Sequence, residues 1–179
     1  MSKWAVVYSS VTGNTAQIAK AIAEAAEADI FPVAEAPADF SDYDVVALGY
    51  WLRRGAPEAK MLAFLPQVTG AKVALFQTHG AEPGSEHAVT AFARAAYRLG
   101  EGCEILGTFG CQGKINPALI KKRQQGGDDD PHGGAAALLR WEAAKTHPDE
   151  QDLAAARDFV AAIERKLVLR KKYRNVSEV

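Results

Sequence analysis

The stretch Ser9-Ser10-Val11-Thr12-Gly13-Asn14-Thr15 decides the fold. An apolar run, Trp4-Ala5-Val6-Val7-Tyr8, leads into it, and good helix formers follow from Ala16 to Glu24. A near-continuous apolar run bounded in this way reads as a parallel strand buried on both faces. Beyond the loop, Ile18, Ala19, Ile22 and Ala26 recur at helical spacing and predict one apolar helix face. The order is therefore strand, small hydroxyl-rich loop, helix. Such a loop sets free backbone N–H groups at the positive end of a helix, which suits a phosphate. Ser10, Thr12 and Thr15 add hydroxyl donors, and Gly13 lets the backbone close without a Cβ clash. The competing reading is a helix start merely capped by Ser or Thr. The loop has neither the lysine of a P-loop nor the Gly-x-Gly-x-x-Gly of a dinucleotide fold, which weighs against both.

Further along, Asp29-Ile30-Phe31-Pro32-Val33 is short and carries a proline, as an edge strand does. Tyr43 to Gly49 is the next buried strand, and Tyr50-Trp51-Leu52-Arg53-Arg54-Gly55-Ala56-Pro57 reads as the loop after it. Pro57 is expected to open a helix over Glu58 to Leu65, closed by Pro66. Lys72 to Thr78 and Glu104 to Gly110 are the fourth and fifth strands. Between them, Ser85 begins a helix to Leu99, with Val89, Phe92, Ala93 and Ala96 expected inward. Strand alternating with helix throughout predicts an α/β fold with a parallel sheet and right-handed crossovers. Residues 116–146 are less regular, with a short helix expected over Ala135 to Lys145. Gly126 to Gly134 reads as a solvated loop without metal-ligand spacing. A final helix spans about 148–172, with Leu153, Ala156, Phe159, Val160, Ile163 and Leu167 on its apolar face and a basic end, Arg170 to Arg174.

The chain has 179 residues with 48% hydrophobic content, which fits one folded domain with a substantial core. The first residues run straight into a strand, and no apolar stretch is long enough to span a bilayer. A cytoplasmic protein without a membrane partner is expected. Cys103 and Cys111 form no CxxC, so a disulfide framework is not expected. A net charge of −1 gives no basic excess for nucleic acid.

Ser10-Val11-Thr12-Gly13-Asn14-Thr15 fits Ser/Thr-x-Thr-Gly-x-Thr and resembles the FMN phosphate loop of flavodoxins. Gly49-Tyr50-Trp51, Phe76-Gln77-Thr78-His79-Gly80, Gly110-Cys111-Gln112-Gly113-Lys114 and His147-Pro148 resemble a flavodoxin subfamily common in anaerobic bacteria. The resemblance implies a doubly wound five-stranded sheet in the order 2-1-3-4-5, with FMN beyond the C-terminal strand ends. It implies phosphate binding by Ser9, Ser10, Val11, Thr12, Gly13, Asn14 and Thr15. It makes Tyr50, Trp51, Leu52, Arg53 and Gly55 the loop beside the flavin, with the Trp51 indole able to stack on the ring. Flavodoxins have a glycine-bearing turn here whose carbonyl meets the ring on reduction. Thr78, His79, Gly80 and Ala81 would line the other edge, where this chain lacks the second aromatic that flavodoxins commonly have. Cys111 is either close to the flavin or a small buried thiol beside a tight turn.

Two functions follow from the resemblance. The first is an electron carrier that holds FMN and serves redox partner proteins in transient encounters, as a monomer, with no catalytic residue and no metal. The second is an FMN-dependent reductase passing hydride from NAD(P)H to a quinone or pigment; the fold supports both. Flavodoxins are usually markedly acidic, whereas this chain places Arg53 and Arg54 in the flavin loop. Positive charge there would stabilise the reduced anionic flavin and make its potential less negative; replacing both with glutamine should reverse the shift.

Overall fold

A computed structural model describes residues 1–124 and 134–177. Its strands are β1 (Trp4–Tyr8), β2 (Asp29–Pro32), β3 (Val45–Arg53), β4 (Ala56–Pro57), β5 (Lys72–His79) and β6 (Glu104–Gln112). Its α-helices are α1 (Asn14–Ala26), α2 (Ala59–Phe64), α3 (Glu86–Arg98), α4 (Pro117–Gln124), α5 (Gly134–Ala144) and α6 (Glu150–Ser177).

The sheet order is β2-β1-β3-β5-β6, all parallel, with β4 added as a short antiparallel partner of β3. With β4 set aside, this is the expected 2-1-3-4-5 order, and the proline-bearing β2 lies at the edge. β1 is buried because both faces are covered. Trp4 and Val6 join one core with Ile18 and Ile22 of α1 and Val160, Ile163 and Leu167 of α6. Ala5 and Val7 join the opposite core with Leu48, Met61, Leu75 and Ala95. Alternate residues pointing to opposite faces make this division automatic. The Trp4 indole N–H donates to the Glu164 carboxylate at 2.7 Å, which fixes α6 against the first strand.

Four local expectations are corrected. Residues 50–57 are not an open loop: β3 continues through Arg53 and turns back into β4. Arg54 (φ 54°) and Gly55 (φ 73°) are the two turn residues, the signs that a tight two-residue hairpin requires. The following helix begins at Ala59, with the Glu58 carboxylate accepting from Lys60 N at 2.7 Å and Met61 N at 2.8 Å. On α3 Phe92 and Ala96 pack against the core as expected, but the fully buried residues are Ala88, Ala91 and Ala95, Ala93 is exposed and Val89 is 59% exposed. Small side chains let this helix lie close enough for Gln77 Nε2 to reach the Ala88 carbonyl at 2.6 Å. Finally, the short helix expected over Ala135 to Lys145 is present as α5, but Pro117–Gln124 is also helical, as α4, and α6 runs Glu150–Ser177 rather than 148–172. Apart from Gly134, where α5 begins, the Gly126 to Gly134 loop lies outside the described residues.

Candidate functional site

The C-terminal ends of β1, β3, β5 and β6 bring four connections together. Residues 9–13 lead into α1. Ser9 N donates to Gly49 O at 2.9 Å, prolonging the β1–β3 pairing by one residue. The chain then bends, and Ser10 Oγ accepts from Gly13 N at 3.2 Å. Gly13 sits at φ +90° with open space where a side chain would be, and its carbonyl accepts from Gln17 N at 3.0 Å. No side chain caps α1. Its leading N–H groups therefore remain available at the positive end of the helix. Val11 and Thr12 are exposed at the loop tip.

Asn14 and Thr15 do a different job from the rest of the motif. Both are buried. Asn14 Nδ2 donates to the Lys114 carbonyl at 2.9 Å, and the Thr15 and Thr78 hydroxyls lie 2.9 Å apart. Thus Thr15 and Thr78, both expected in the binding site, lock α1 to β5. Lys114 N in turn donates to His147 O at 2.9 Å, and Gly113 N donates to His79 O at 3.0 Å. A Cβ on Gly113 would stand 2.6 Å from Asn14 Nδ2, so this close approach needs glycine. Lys114 was not among the expected site residues. Its role is carried by a backbone carbonyl, which leaves no side-chain signature.

Along β3 the alternation decides which side chains can face a ligand. Tyr50 is fully buried in the core shared with α2 and α3. Its ring is therefore not a ligand face, so any part it has beside a ligand falls to its backbone, and Leu52 packs against the same core. Trp51 points to the opposite face, the side of α1, at the open end of the sheet. It is half-buried, and its indole Nε1 is buried without a hydrogen-bond partner in the structure. A buried polar hydrogen left unmatched costs free energy, and such groups mark places where something else supplies the acceptor. Arg53 is exposed beside the turn. Gly55 is buried, with the His87 ring against it, and its carbonyl accepts from Arg94 Nη1 at 2.8 Å. Neither His87 nor Arg94 was foreseen, because nothing in the α3 pattern announces a contact with a hairpin on another strand.

The loop after β5 is held from within. His79 Nδ1 lies 3.0 Å from Ala81 O, and Gln112 Nε2 donates to the same carbonyl at 3.0 Å. Burial lowers the His79 pKa, with the Ala81 hydrogen bond opposing it and the nearby His87 adding to it. The role of His79 seen here is structural: burial disfavours its charged form, and its ring holds the Ala81 carbonyl. Gly80 is pressed against Ile115, where a Cβ would come within 2.8 Å. Cys111 belongs to the core under α1 and α6, and burial together with Asp152 and Asp149 pushes its thiol pKa up. It is the inert buried thiol of the two readings. The nearby His147, Asp149 and Asp152 are occupied in starting α6. Asp149 Oδ1 accepts from Gln151 N and Asp152 N, while Asp152 Oδ2 accepts from Asp149 N and lies 2.5 Å from His147 Nδ1.

An uncapped helix start behind a hydroxyl loop, on the same side of the sheet as an aromatic with an unmatched N–H, fits a phosphate joined to a flat ring. Comparison with known proteins agrees with this class of site. Residues 5–161 match the family model described as flavodoxin domain, and the chain belongs to that family. It is 32% identical over 161 residues to the flavodoxin-like domain-containing protein BilS of Clostridioides difficile (strain CD3), covering 86% of this chain and 92% of that one. It is 27% identical over 178 residues to the protein of the same name from Clostridium symbiosum (strain WAL-14163), covering 88% and 94%. Among solved structures, a flavodoxin from Streptococcus pneumonia TIGR4 superimposes with a TM-score of 0.58 at 16% identity, covering 92% of this chain and 99% of that one. The last likeness is one of fold. No helix among the described residues is long and apolar enough to cross a membrane.

Proposed function

We propose that this chain holds FMN at the ends of β1, β3 and β5 and carries electrons between partner proteins. The observation that supports this reading most is the uncapped start of α1 at Gly13, φ +90°, within a Ser/Thr loop and on the same side of the sheet as Trp51. When bound, the flavin supplies the one- and two-electron chemistry; the protein binds it and tunes it. Ser10 braces the phosphate loop through Gly13 N, while Asn14 and the Thr15–Thr78 pair fix the helix that carries the N–H groups. Trp51 offers the aromatic face, and the hairpin turn at Arg54-Gly55 borders the same end of the sheet. His79 holds its loop through the Ala81 carbonyl. Both cysteines are free thiols, which suits a reducing compartment such as the cytoplasm.

The test is an anaerobic reductive titration of the protein after incubation with FMN, followed by visible absorbance. The carrier reading expects a long-wavelength band that rises and then falls, marking two separated one-electron steps. A direct passage from oxidised to fully reduced spectrum would move the reading to a two-electron reductase, to be checked by NAD(P)H oxidation. Absence of FMN uptake would remove the phosphate-loop argument itself.

A further inference from the structure

Beside the hairpin, a shallow groove of about 410 Å³ is lined by Ala56, Leu62, Ala93, Arg94, Tyr97 and Arg98. It runs between the hairpin, α2 and α3. Ala56 pairs across the hairpin with Arg53, and Arg54 forms the turn between them. Arg94 and Arg98 thus line the groove itself, and Arg53 and Arg54 lie in the hairpin at its border. Arg94 is engaged with the Gly55 carbonyl. Arg53, Arg54 and Arg98 are exposed, and their guanidinium groups have neither hydrogen bond nor ion pair with any described residue. Glu58 is buried and spent on capping α2, and Glu86, which begins α3 on the hairpin side, forms no ion pair with any of these arginines. Tyr97 stands 88% exposed among the arginines.

Exposed arginine and tyrosine around an apolar depression are the residue types that dominate binding at protein interfaces. Guanidinium is more weakly hydrated than ammonium and pairs two-pronged with carboxylate, so unpaired arginines at such a groove are suited to a carboxylate-bearing surface. The chain as a whole carries −1, so the positive field is local to this face.

We infer that the groove and its arginines are the docking surface for a redox partner protein that presents carboxylates around an apolar side chain. The inference rests on the flavin reading for its purpose, because the surface adjoins the hairpin at the proposed ring site. The groove takes the apolar residue, and the arginines steer and orient the approach.

The test uses the FMN-loaded protein, reduced anaerobically and mixed with ferricyanide or with hexaammineruthenium(III) at low and high salt. Oxidation by the anionic reagent should slow with added salt by roughly tenfold, and oxidation by the cationic one should speed up. The double variant Arg54→Asn, Arg98→Gln should lose most of both trends; asparagine is chosen because it tolerates positive φ. Lys171→Gln with Lys172→Gln on α6 changes net charge equally and should keep them. A second measurement needs no flavin: calorimetric titration with polyglutamate should show binding to the parent and at least roughly tenfold weaker binding to the Arg54/Arg98 variant. Unchanged salt dependence and unchanged polyglutamate binding in that variant would overturn the inference. A failure of FMN uptake, visible in the spectrum before any mixing, would count against the flavin reading alone, since the polyglutamate result stands apart from it.

Discussion

Replacing Gly13 with alanine isolates the backbone geometry of the phosphate loop from every other contact. Nothing lies within 4 Å of the position its Cβ would take, so no side chain is displaced. The whole effect is conformational. Gly13 sits at φ +90°, a region where an L-residue costs about 1–2 kcal/mol. The cost must appear somewhere. If alanine keeps the native loop, the free protein loses that amount of stability, about 2–8 °C in melting temperature for a chain of this size. If the loop relaxes instead, the cost is met on binding, and FMN affinity falls roughly 5- to 30-fold. In either case the FMN-bound protein is less stable than its parent by the same ~1–2 kcal/mol. Gly70 supplies the control: φ is +61°, nothing lies within 4 Å, and its turn is hydrogen-bonded to Glu101 far from the loop. Gly70→Ala should destabilise comparably with FMN affinity unchanged. Urea unfolding with and without FMN, together with fluorescence titration of the flavin, measures both quantities. A Gly13→Ala protein with parental stability and parental affinity would refute the reasoning, as would a Gly70→Ala protein that binds FMN as weakly.

Three other outcomes are expected. Glu58→Ala removes an acceptor from two N–H groups at the start of α2 and should cost about 1–2 kcal/mol in denaturant unfolding. Gly49→Ala would place a Cβ 2.0 Å from the Phe76 ring, overpacking the core by about 1–3 kcal/mol; combining it with Phe76→Leu should recover part of that loss, a coupling read from a double-mutant cycle. For His79, burial depresses the folded pKa below the unfolded 6.5, so the unfolded chain takes up the proton first as pH falls. Stability should therefore be full above about pH 6.5 and decline below it, and His79→Asn should flatten that part of the curve in pH-dependent thermal melts.

Much of this was legible in the sequence because it depends on local signals. The buried runs, the hydroxyl loop at the first strand–helix junction and the proline in β2 each act through their own residues. The same holds for α6, where Ala156, Val160, Ile163 and Leu167 are buried as the spacing predicts. The misreadings share a cause: they depend on what lies across the fold. Trp51 and Tyr50 are adjacent aromatics, and only extending β3 past Gly49 shows that one faces the core. Arg54 and Gly55 look like loop residues, although their positive φ values are what return the strand as β4. On α3, Val89 is the more apolar residue, yet the alanines are inside because the helix sits close to β5. Lys114 acts through its backbone, so its part in placing Asn14 is invisible in residue type.

The bond from Lys114 N to His147 O has a bearing on where this chain can change length. It closes residues 115–146 into a branch whose two ends meet at one point on the fold. Chain can then be added to or taken from that branch with little change in the separation of its ends, and closure entropy grows only slowly with length. The anchor for Asn14 lies on the near side of that junction. The footing of the phosphate loop on Asn14 therefore does not depend on how many residues that branch contains.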